Sequence, residues 1–138
     1  MRRMLIVEDE PRLRNCLQQF FAARGFVVAA AFSGEEAVEE MREHSADVVL
    51  LDIVLPGLSG LEVLKRIKQL RPRARVIMVS ALDAEEVREA AREYGADAYI
   101  LKPFDFSDTT WFPAFAVTDP PRMAARRISG CSHGPPGP

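Results

Sequence analysis

The chain has 138 residues, of which 48% are hydrophobic and 28% charged, and its formal net charge is −2. This length suffices for one globular domain, and the charge gives no global support for nucleic-acid binding. The longest apolar run, 26–32, is too short to span a bilayer, and the amino terminus does not read as a signal peptide. Cys16 and Cys131 form no CxxC motif, so we expect no disulfide framework and a cytoplasmic location.

Short apolar runs alternate with segments of helical period from residue 3 to about residue 105. The runs that predict strands are 5–7, 26–31, 48–51, 76–79 and 98–101. Five strands, the first four of them followed by a helical segment, argue for an α/β fold with a doubly wound parallel sheet, covered on both faces and joined by right-handed crossovers.

Helix boundaries are marked by capping residues. The first helix is predicted to start at Pro11, with Glu8 and Asp9 as possible caps, and to end near Gly25. Two capping boxes, Ser33-x-x-Glu36 and Ser59-x-x-Glu62, start the second and third helices. Asp83 is predicted to cap the fourth helix, and Gly95 to close it.

The pattern breaks after residue 105. Residues 106–138 hold six of the ten prolines and no lysine, and the fifth amphipathic helix expected near Phe104 is missing. We therefore predict a domain over 1–105 and an atypical Pro-rich tail over 106–138. The tail is interpreted as frame-shifted or artefactual sequence, with a genuine extension as the alternative.

Aromatic residues in the tail are expected to fold back over the sheet face that a fifth helix would cover. Pro113 rules out one continuous helix through them, so the predicted cover is irregular or made of short helical turns. Beyond Pro120 the chain is expected to be mobile. The aromatic residues are Phe104, Phe106, Trp111, Phe112 and Phe115.

Polar residues stand at four predicted strand ends. Glu8-Asp9 follows the first strand, Asp52 the third, Ser80 the fourth and Lys102-Pro103 the fifth. The carboxyl ends of parallel strands meet at one sheet edge, where open α/β sheets bind their ligands. Three clustered carboxylates repel one another and favour a divalent cation such as Mg²⁺, while a lysine and a hydroxyl can contact phosphoryl oxygens. The set predicts a site for a metal and a phosphoryl group.

These motifs together resemble the receiver domain of bacterial two-component response regulators over residues 3–105. The matching segments are Glu8-Asp9, Leu51-Asp52 through Pro56-Gly57 and Gly60, Ser80-Ala81, and Tyr99 to Phe104. The resemblance implies a flavodoxin-like sheet of strand order 2-1-3-4-5. It also implies a signalling protein with no external turnover substrate. Its partners would be a histidine kinase or phosphotransfer protein and an unknown downstream protein, with dimerisation possible and no direct contact with nucleic acid or membrane.

The resemblance assigns Asp52 as the phosphoacceptor that takes phosphate from a phosphohistidine. Asp9, Asp52 and the backbone carbonyl of Val54 would ligate Mg²⁺, and Glu8 would act mostly through water. Lys102 would contact the phosphate.

The resemblance also implies a switch pair, Ser80 and Tyr99, in which the hydroxyl moves to the phosphate and the ring follows inward. The Lys102-Pro103 bond is expected to be cis. The missing fifth helix leaves the output and dimer contacts open.

Four functions compete at this stage. The first is a stand-alone receiver, and the second is a receiver fragment of a longer transcriptional regulator whose output domain is absent. A phosphatase of the haloacid dehalogenase type would need a second acid two residues after its nucleophile, where this chain has Val54. A flavin or nucleotide carrier would need a phosphate-binding loop where this chain has Glu8-Asp9-Glu10. The receiver is favoured.

Overall fold

The computed structural model describes residues 2–107, 110 and 111. Strands and helices alternate strictly along the described chain. The strands are β1 (Arg3–Val7), β2 (Val27–Ala31), β3 (Val48–Leu51), β4 (Arg75–Ser80) and β5 (Ala98–Leu101). The helices are α1 (Pro11–Ala22), α2 (Gly34–Glu43), α3 (Gly60–Leu70) and α4 (Glu85–Glu93).

The five strands form one parallel sheet in the order β2-β1-β3-β4-β5. The register aligns Val7 with Leu51 and Leu51 with Met78, so the carboxyl ends of β1, β3 and β4 lie side by side. The predicted fold class and strand order are confirmed. β3 and β5 have the predicted bounds, and β1 and β4 are each longer by two residues.

Of the three predicted helix caps, those at Ser33 and Ser59 are confirmed and the one at Asp83 is wrong. The side chains of Ser33 and Ser59 accept the amide hydrogens of the residues three positions later. The cap of α1 is Glu10, which accepts from the Leu13 amide at 2.7 Å, and neither Glu8 nor Asp9 has this role. The N-cap of α4 is Ala84, which provides no side-chain hydrogen bond, and the Asp83 carboxylate accepts from Arg88 at 2.9 Å instead.

Each face of the sheet has its own apolar core. On one face the sheet packs against the buried stripes of α2 and α3, which include Ala37, Met41, Leu64 and Ile67. On the other face it packs against α1 through Leu17, Phe20 and Phe21. Both faces of β3 are fully buried, which explains why its sequence is apolar without alternation.

Aromatic residues after β5 extend the second core, as predicted. Trp111 is 1% exposed, and its ring meets those of Phe21 and Phe104 edge-on at centroid distances of 5.2 and 5.1 Å. Phe106 lies 5.4 Å from Phe20. The indole nitrogen of Trp111 donates to the Asp105 carbonyl at 3.0 Å, so the polar end of this buried ring is satisfied.

Backbone hydrogen bonds to Ser107 position Trp111 against the sheet, in keeping with the short helical turns predicted for this cover. The amide groups of Thr110 and Trp111 both donate to the Ser107 carbonyl at 3.2 Å. Hydrogen bonds from the hydroxyls of Thr110 and Ser107 lower the pKa of Asp105. The predictions for Phe112, Pro113, Phe115 and the chain beyond Pro120 lie outside the described residues, and the division at residue 105 stays a prediction.

Two further observations concern the cysteines and the character of the helices. Cys16 is disulfide-bonded, so the expectation from cysteine spacing is wrong; Cys131 lies outside the described residues. Within residues 2–107, 110 and 111, no helix has the length and apolar character needed to cross a bilayer.

Candidate functional site

The structure brings the three predicted acids together at the carboxyl edge of the sheet. Glu8 and Asp9 follow β1, Asp52 follows β3, and these strands are neighbours. One carboxylate oxygen from each residue lies within 4.8 Å of the other two. Glu8 and Asp52 are only 3% and 5% exposed, whereas Asp9 faces solvent. Two of the three charges are therefore held away from bulk water.

Lys102 reaches this cluster from the end of β5. Its ammonium nitrogen lies 2.7 Å from Oδ2 of Asp52 and 3.1 Å from Oε1 of Glu8. Its backbone amide donates to the Ser80 carbonyl at 2.9 Å, and the Lys102-Pro103 bond is cis, as predicted. The lysine thus spans β4 to contact carboxylates that follow β1 and β3.

The electrostatics of the cluster are unbalanced. Burial raises the pKa of Glu8 and the charge of Asp52 adds to this rise, although Lys102 opposes both. Burial acts to lower the pKa of Lys102, but the hydrogen bond to Asp52 and the charges of both acids outweigh it and raise the pKa. The ammonium group contacts two of the three clustered carboxylates, and the remaining excess of negative charge favours a bound cation.

The donor set fits a magnesium ion. Mg²⁺ binds oxygen ligands at 2.0–2.1 Å, so opposite ligands in its octahedron are about 4.2 Å apart. One carboxylate oxygen from each of Glu8, Asp9 and Asp52 lies within 4.8 Å of the other two, so the three acids can approach a single cation, directly or through water. The amide of Val54 donates a hydrogen bond to Oδ1 of Asp52 at 3.1 Å. Val54 itself is 62% exposed. The role of its carbonyl as a ligand stays a prediction.

Close packing behind Asp52 fixes the loop that carries it. The amide of Gly60 donates to the Ile53 carbonyl at 2.8 Å, and a Cβ at residue 60 would collide with the Asp52 carbonyl. Gly57 has a φ of 76° and lies against the Glu35 carboxylate. Glycine at residues 57 and 60 therefore lets the β3–α3 loop fold tightly beside the phosphoacceptor candidate.

Ser80 and Tyr99 lie next to the acid cluster and contact the same loop residue. Ser80 is fully buried at the end of β4, and its hydroxyl accepts from the Leu82 amide at 3.3 Å. The Tyr99 hydroxyl donates to the Leu82 carbonyl at 2.7 Å. Burial raises the pKa of Tyr99, which keeps its hydroxyl protonated and able to donate.

Two arginines lie beside this site without any sequence signal that marks them. Arg14 of α1 donates to the Glu8 carbonyl at 2.9 Å, and its guanidinium lies 4.0 Å from the centroid of the half-exposed Phe32 ring. Arg88 of α4 lies 4.9 Å from the centroid of Tyr99. No local motif marks either residue, because each contact joins parts of the chain that only the fold brings together.

The chain belongs to the response regulator receiver domain family, whose family model matches residues 4–110. It is 42% identical over 103 residues to the chemotaxis protein CheY of Bacillus subtilis, covering 74% of this chain and 86% of that protein. A solved structure, the CheX–CheY–BeF3–Mg complex from Borrelia burgdorferi, matches with a TM-score of 0.72 and 37% identity over 75% of this chain and 80% of its counterpart. The predicted resemblance is confirmed.

Other relatives are longer. The transcriptional activator PfeR of Pseudomonas aeruginosa is 42% identical over 106 residues, which are 77% of this chain but 34% of that protein. The described chain therefore spans nearly all of a chemotaxis regulator and about a third of this transcriptional activator.

Proposed function

We propose that the protein is the phosphoacceptor of a two-component phosphorelay, phosphorylated on Asp52 by a histidine kinase or phosphotransfer protein. The observation that carries this proposal is the buried Asp52 carboxylate, bonded to Lys102 and within reach of Glu8 and Asp9. The set supplies a nucleophile, a positive charge and a cation site at one sheet edge.

Phosphoryl transfer at this site needs alignment and charge neutralisation more than covalent assistance. A carboxylate oxygen of Asp52 attacks the phosphorus of a phosphohistidine, a P–O bond forms, the P–N bond breaks, and the imidazole leaves. Lys102 neutralises charge on the phosphoryl oxygens from its position 2.7 Å from Asp52. Ser80 has a hydroxyl available to donate to another phosphoryl oxygen.

Glu8, Asp9 and Asp52 would hold Mg²⁺, with the Val54 carbonyl as a further ligand. The ion supplies charge neutralisation for a phosphoryl group next to carboxylates. Glu8 acts mostly through water, because its side chain is buried against Lys102. Ser80 and Tyr99 form the switch pair that reports phosphorylation to a downstream partner.

We expect no turnover of an external substrate. Val54, two residues after Asp52, has no side-chain acid or amide to orient an attacking water, and the phosphoryl group is passed on or lost slowly. The cycle is therefore phosphorylation and dephosphorylation of the protein itself, and its output is a change in binding.

The test is modification by a small phosphodonor. With Mg²⁺ and acetyl phosphate, intact-protein mass spectrometry should show addition of one phosphoryl group. Asp52→Asn should abolish this addition, and the matched variant Asp97→Asn, at the opposite edge of the sheet, should retain it. Unchanged labelling of Asp52→Asn, or labelling that persists after the metal is chelated, would contradict the proposal.

A second candidate is a receiver that belongs to a longer transcriptional regulator. It is supported by the 42% identity to PfeR, of which the matching region is only 34%. Phosphorylation of Asp52 would follow the same chemistry in a stand-alone receiver and in a longer regulator. Sequencing the DNA around codon 105 and beyond distinguishes them, because a shifted frame would restore a fifth helix and an output domain.

We also propose a cytoplasmic location, because a phosphohistidine donor depends on ATP. The Cys16 disulfide argues in the opposite direction, since disulfides rarely persist in the reducing cytosol. Fractionation of cells tests the proposed location, and alkylation of free thiols at lysis tests whether Cys16 is disulfide-bonded in the cell. Recovery outside the cytosolic fraction with Cys16 protected from alkylation would contradict the proposed location.

A further inference from the structure

A closed ring of contacts holds the backbone that carries two of the three clustered acids. The Glu8 amide donates to the Ala31 carbonyl at 3.2 Å, which joins the end of β1 to the end of β2. The Glu8 carbonyl accepts from the Arg14 guanidinium at 2.9 Å. That guanidinium lies 4.0 Å from the centroid of the Phe32 ring, and Phe32 directly follows Ala31. The backbone of Glu8 is therefore held on both sides, by β2 itself and by an arginine that rests on the residue after β2.

The aromatic ring of Phe32 serves as a support for Arg14. Phe32 is 52% exposed and belongs to neither apolar core of the described chain. Its amide donates to the Glu36 carboxylate at 2.6 Å, so its backbone is fixed from the side of α2. A planar guanidinium stacks favourably on an aromatic face while its nitrogens stay free to donate hydrogen bonds. The ring thus orients Arg14 toward the Glu8 carbonyl.

The carboxylate of Asp9 depends on this backbone for its position. The Glu8 carboxylate is held by its own contact, because Lys102 bonds to it at 3.1 Å. Asp9 faces solvent, and the like charges of Glu8 and Asp52 repel its carboxylate. A repelled, solvent-facing side chain stays near the cluster only if the peptide that carries it is fixed. Arg14 bonds the carbonyl of that peptide, which links Glu8 to Asp9.

We infer that Arg14, supported by the ring of Phe32, is a positioning residue that fixes the Glu8–Asp9 peptide for metal binding. The inference rests on the proposed function, because it concerns the site proposed for Mg²⁺. This ion demands near-ideal octahedral geometry, so ligands that are already in place bind it more tightly than ligands that must first be ordered. When the peptide is released, the repelled carboxylate of Asp9 moves away, and the ion has to bring it back.

The variants that test this inference leave the net charge of the site unaltered. Arg14 carries a positive charge beside the acids, so a neutral residue in its place would itself strengthen cation binding and hide a loss of positioning. Phe32→Ala removes the ring alone. Arg14→Lys keeps the charge but lacks the planar fork that stacks on a ring while it donates.

Matched controls are Val27→Ala and Arg12→Lys. Val27 is an apolar residue at the other end of β2 and is 41% exposed, and Arg12 is an exposed arginine in the same turn of α1 as Arg14. Phe32→Tyr tests the ring itself, because tyrosine keeps an aromatic face for the guanidinium. Each protein is titrated with Mg²⁺ alone, without a phosphodonor, and the dissociation constant is obtained from amide chemical shifts.

Phe32→Ala should raise the dissociation constant for Mg²⁺ about two- to fivefold, the size of the effect of one exposed cation–π contact. Arg14→Lys should raise it as well, whereas Phe32→Tyr and the two controls should leave it unaltered. An unaltered constant in Phe32→Ala, or an equal rise in Val27→Ala or in Phe32→Tyr, would overturn the inference.

A second measurement is made without metal. In chelator, hydrogen exchange at the Glu8 amide should be faster in Phe32→Ala than in Val27→Ala, because the backbone of Glu8 is then held on one side only. Equal exchange in the two variants would show that the ring does not hold this backbone, and it would overturn the inference. An unaltered protein that binds no Mg²⁺ would instead contradict the proposed metal site, and the inference would fall with it.

Discussion

The two edges of the sheet each carry a lysine paired with a carboxylate. At the carboxyl edge, Lys102 contacts Asp52 at 2.7 Å and Glu8 at 3.1 Å. At the amino edge, Lys68 contacts Asp97 at 3.1 Å and the Ala74 carbonyl at 2.7 Å. The two lysine side chains are almost equally exposed, at 21% and 20%, so solvent access does not distinguish them.

The difference lies in how the charges are matched. At the amino edge one ammonium group faces one carboxylate, and Asp97 also accepts from the Val76 amide at 2.9 Å. This arrangement ties α3 to β4 and β5, and every group in it has a partner. At the carboxyl edge three acids lie together, and Lys102 contacts the two that are buried. A balanced pair stabilises a fold, whereas an excess of buried like charge indicates a missing ligand.

The largest expected effect comes from removing each lysine in turn. Without metal at pH 8, Lys102→Met should lower the free energy of unfolding by about 3 kcal/mol, because it leaves Glu8 and Asp52 buried without a counter-charge. Lys68→Met should cost only about 1 kcal/mol, because Asp97 keeps its amide hydrogen bond and has solvent access. Urea unfolding followed by circular dichroism measures both values.

Addition of Mg²⁺ should restore much of the stability of Lys102→Met and none of that of Lys68→Met. Equal costs for the two variants in chelator would show that the charge imbalance has no energetic consequence.

The next effect in size is stabilisation by the metal. Mg²⁺ at a hundredfold excess over its dissociation constant should raise the free energy of unfolding by about 2.7 kcal/mol, if it binds only the folded chain. Asp9→Ala should abolish this increase, and it should raise the stability of the metal-free protein by about 1 kcal/mol, because it relieves repulsion at a partly solvated site.

Asp97→Ala provides the matched control for the metal effect. It removes an acid from the other sheet edge and should leave the Mg²⁺-dependent increase intact. A thermal melt of the unaltered protein that does not respond to millimolar Mg²⁺ would count against the acid cluster as a metal site.

The smallest expected effect is a pH dependence due to Glu8. Its pKa is raised above 4.5 mainly by burial, so the folded protein binds this proton more tightly than the unfolded chain does. The resulting stabilisation is present below pH 4.5 and is lost as the pH rises through the raised pKa. In chelator, the stability difference between the unaltered protein and Glu8→Gln should therefore change across this range, and a constant difference would contradict the assignment.

The sequence predicted the sheet and the site because both depend on local patterns repeated in order. The meeting of Asp52 with the acids after β1 could be predicted from one rule, that parallel strands end at the same edge of a sheet. The caps at Ser33 and Ser59 were equally local. Glu8, Asp9, Asp52 and Lys102 were brought together as expected, although their chemical roles remain proposals.

The errors and omissions arose where a side chain has a partner that its local sequence does not indicate. Asp83 stands where a helix cap is expected from the sequence, yet its carboxylate accepts a hydrogen bond from Arg88. Lys68 and Asp97 are 29 positions apart, and nothing in either segment indicates that they pair. Short helical turns were predicted for the tail, but their position was not, because the tail has no helical period; the Ser107 hydroxyl accepts from the Thr110 amide at 3.3 Å.

The most direct test of the central claim is to locate the phosphoryl group on the chain. The protein is incubated with Mg²⁺ and acetyl phosphate, the acyl phosphate is reduced with borohydride, and the peptides are sequenced by mass spectrometry. The account predicts homoserine at residue 52 and unmodified aspartate at residues 9 and 97. Reduction at Asp9 or Asp97, or no reduced residue in a protein that has gained a phosphoryl group, would contradict it.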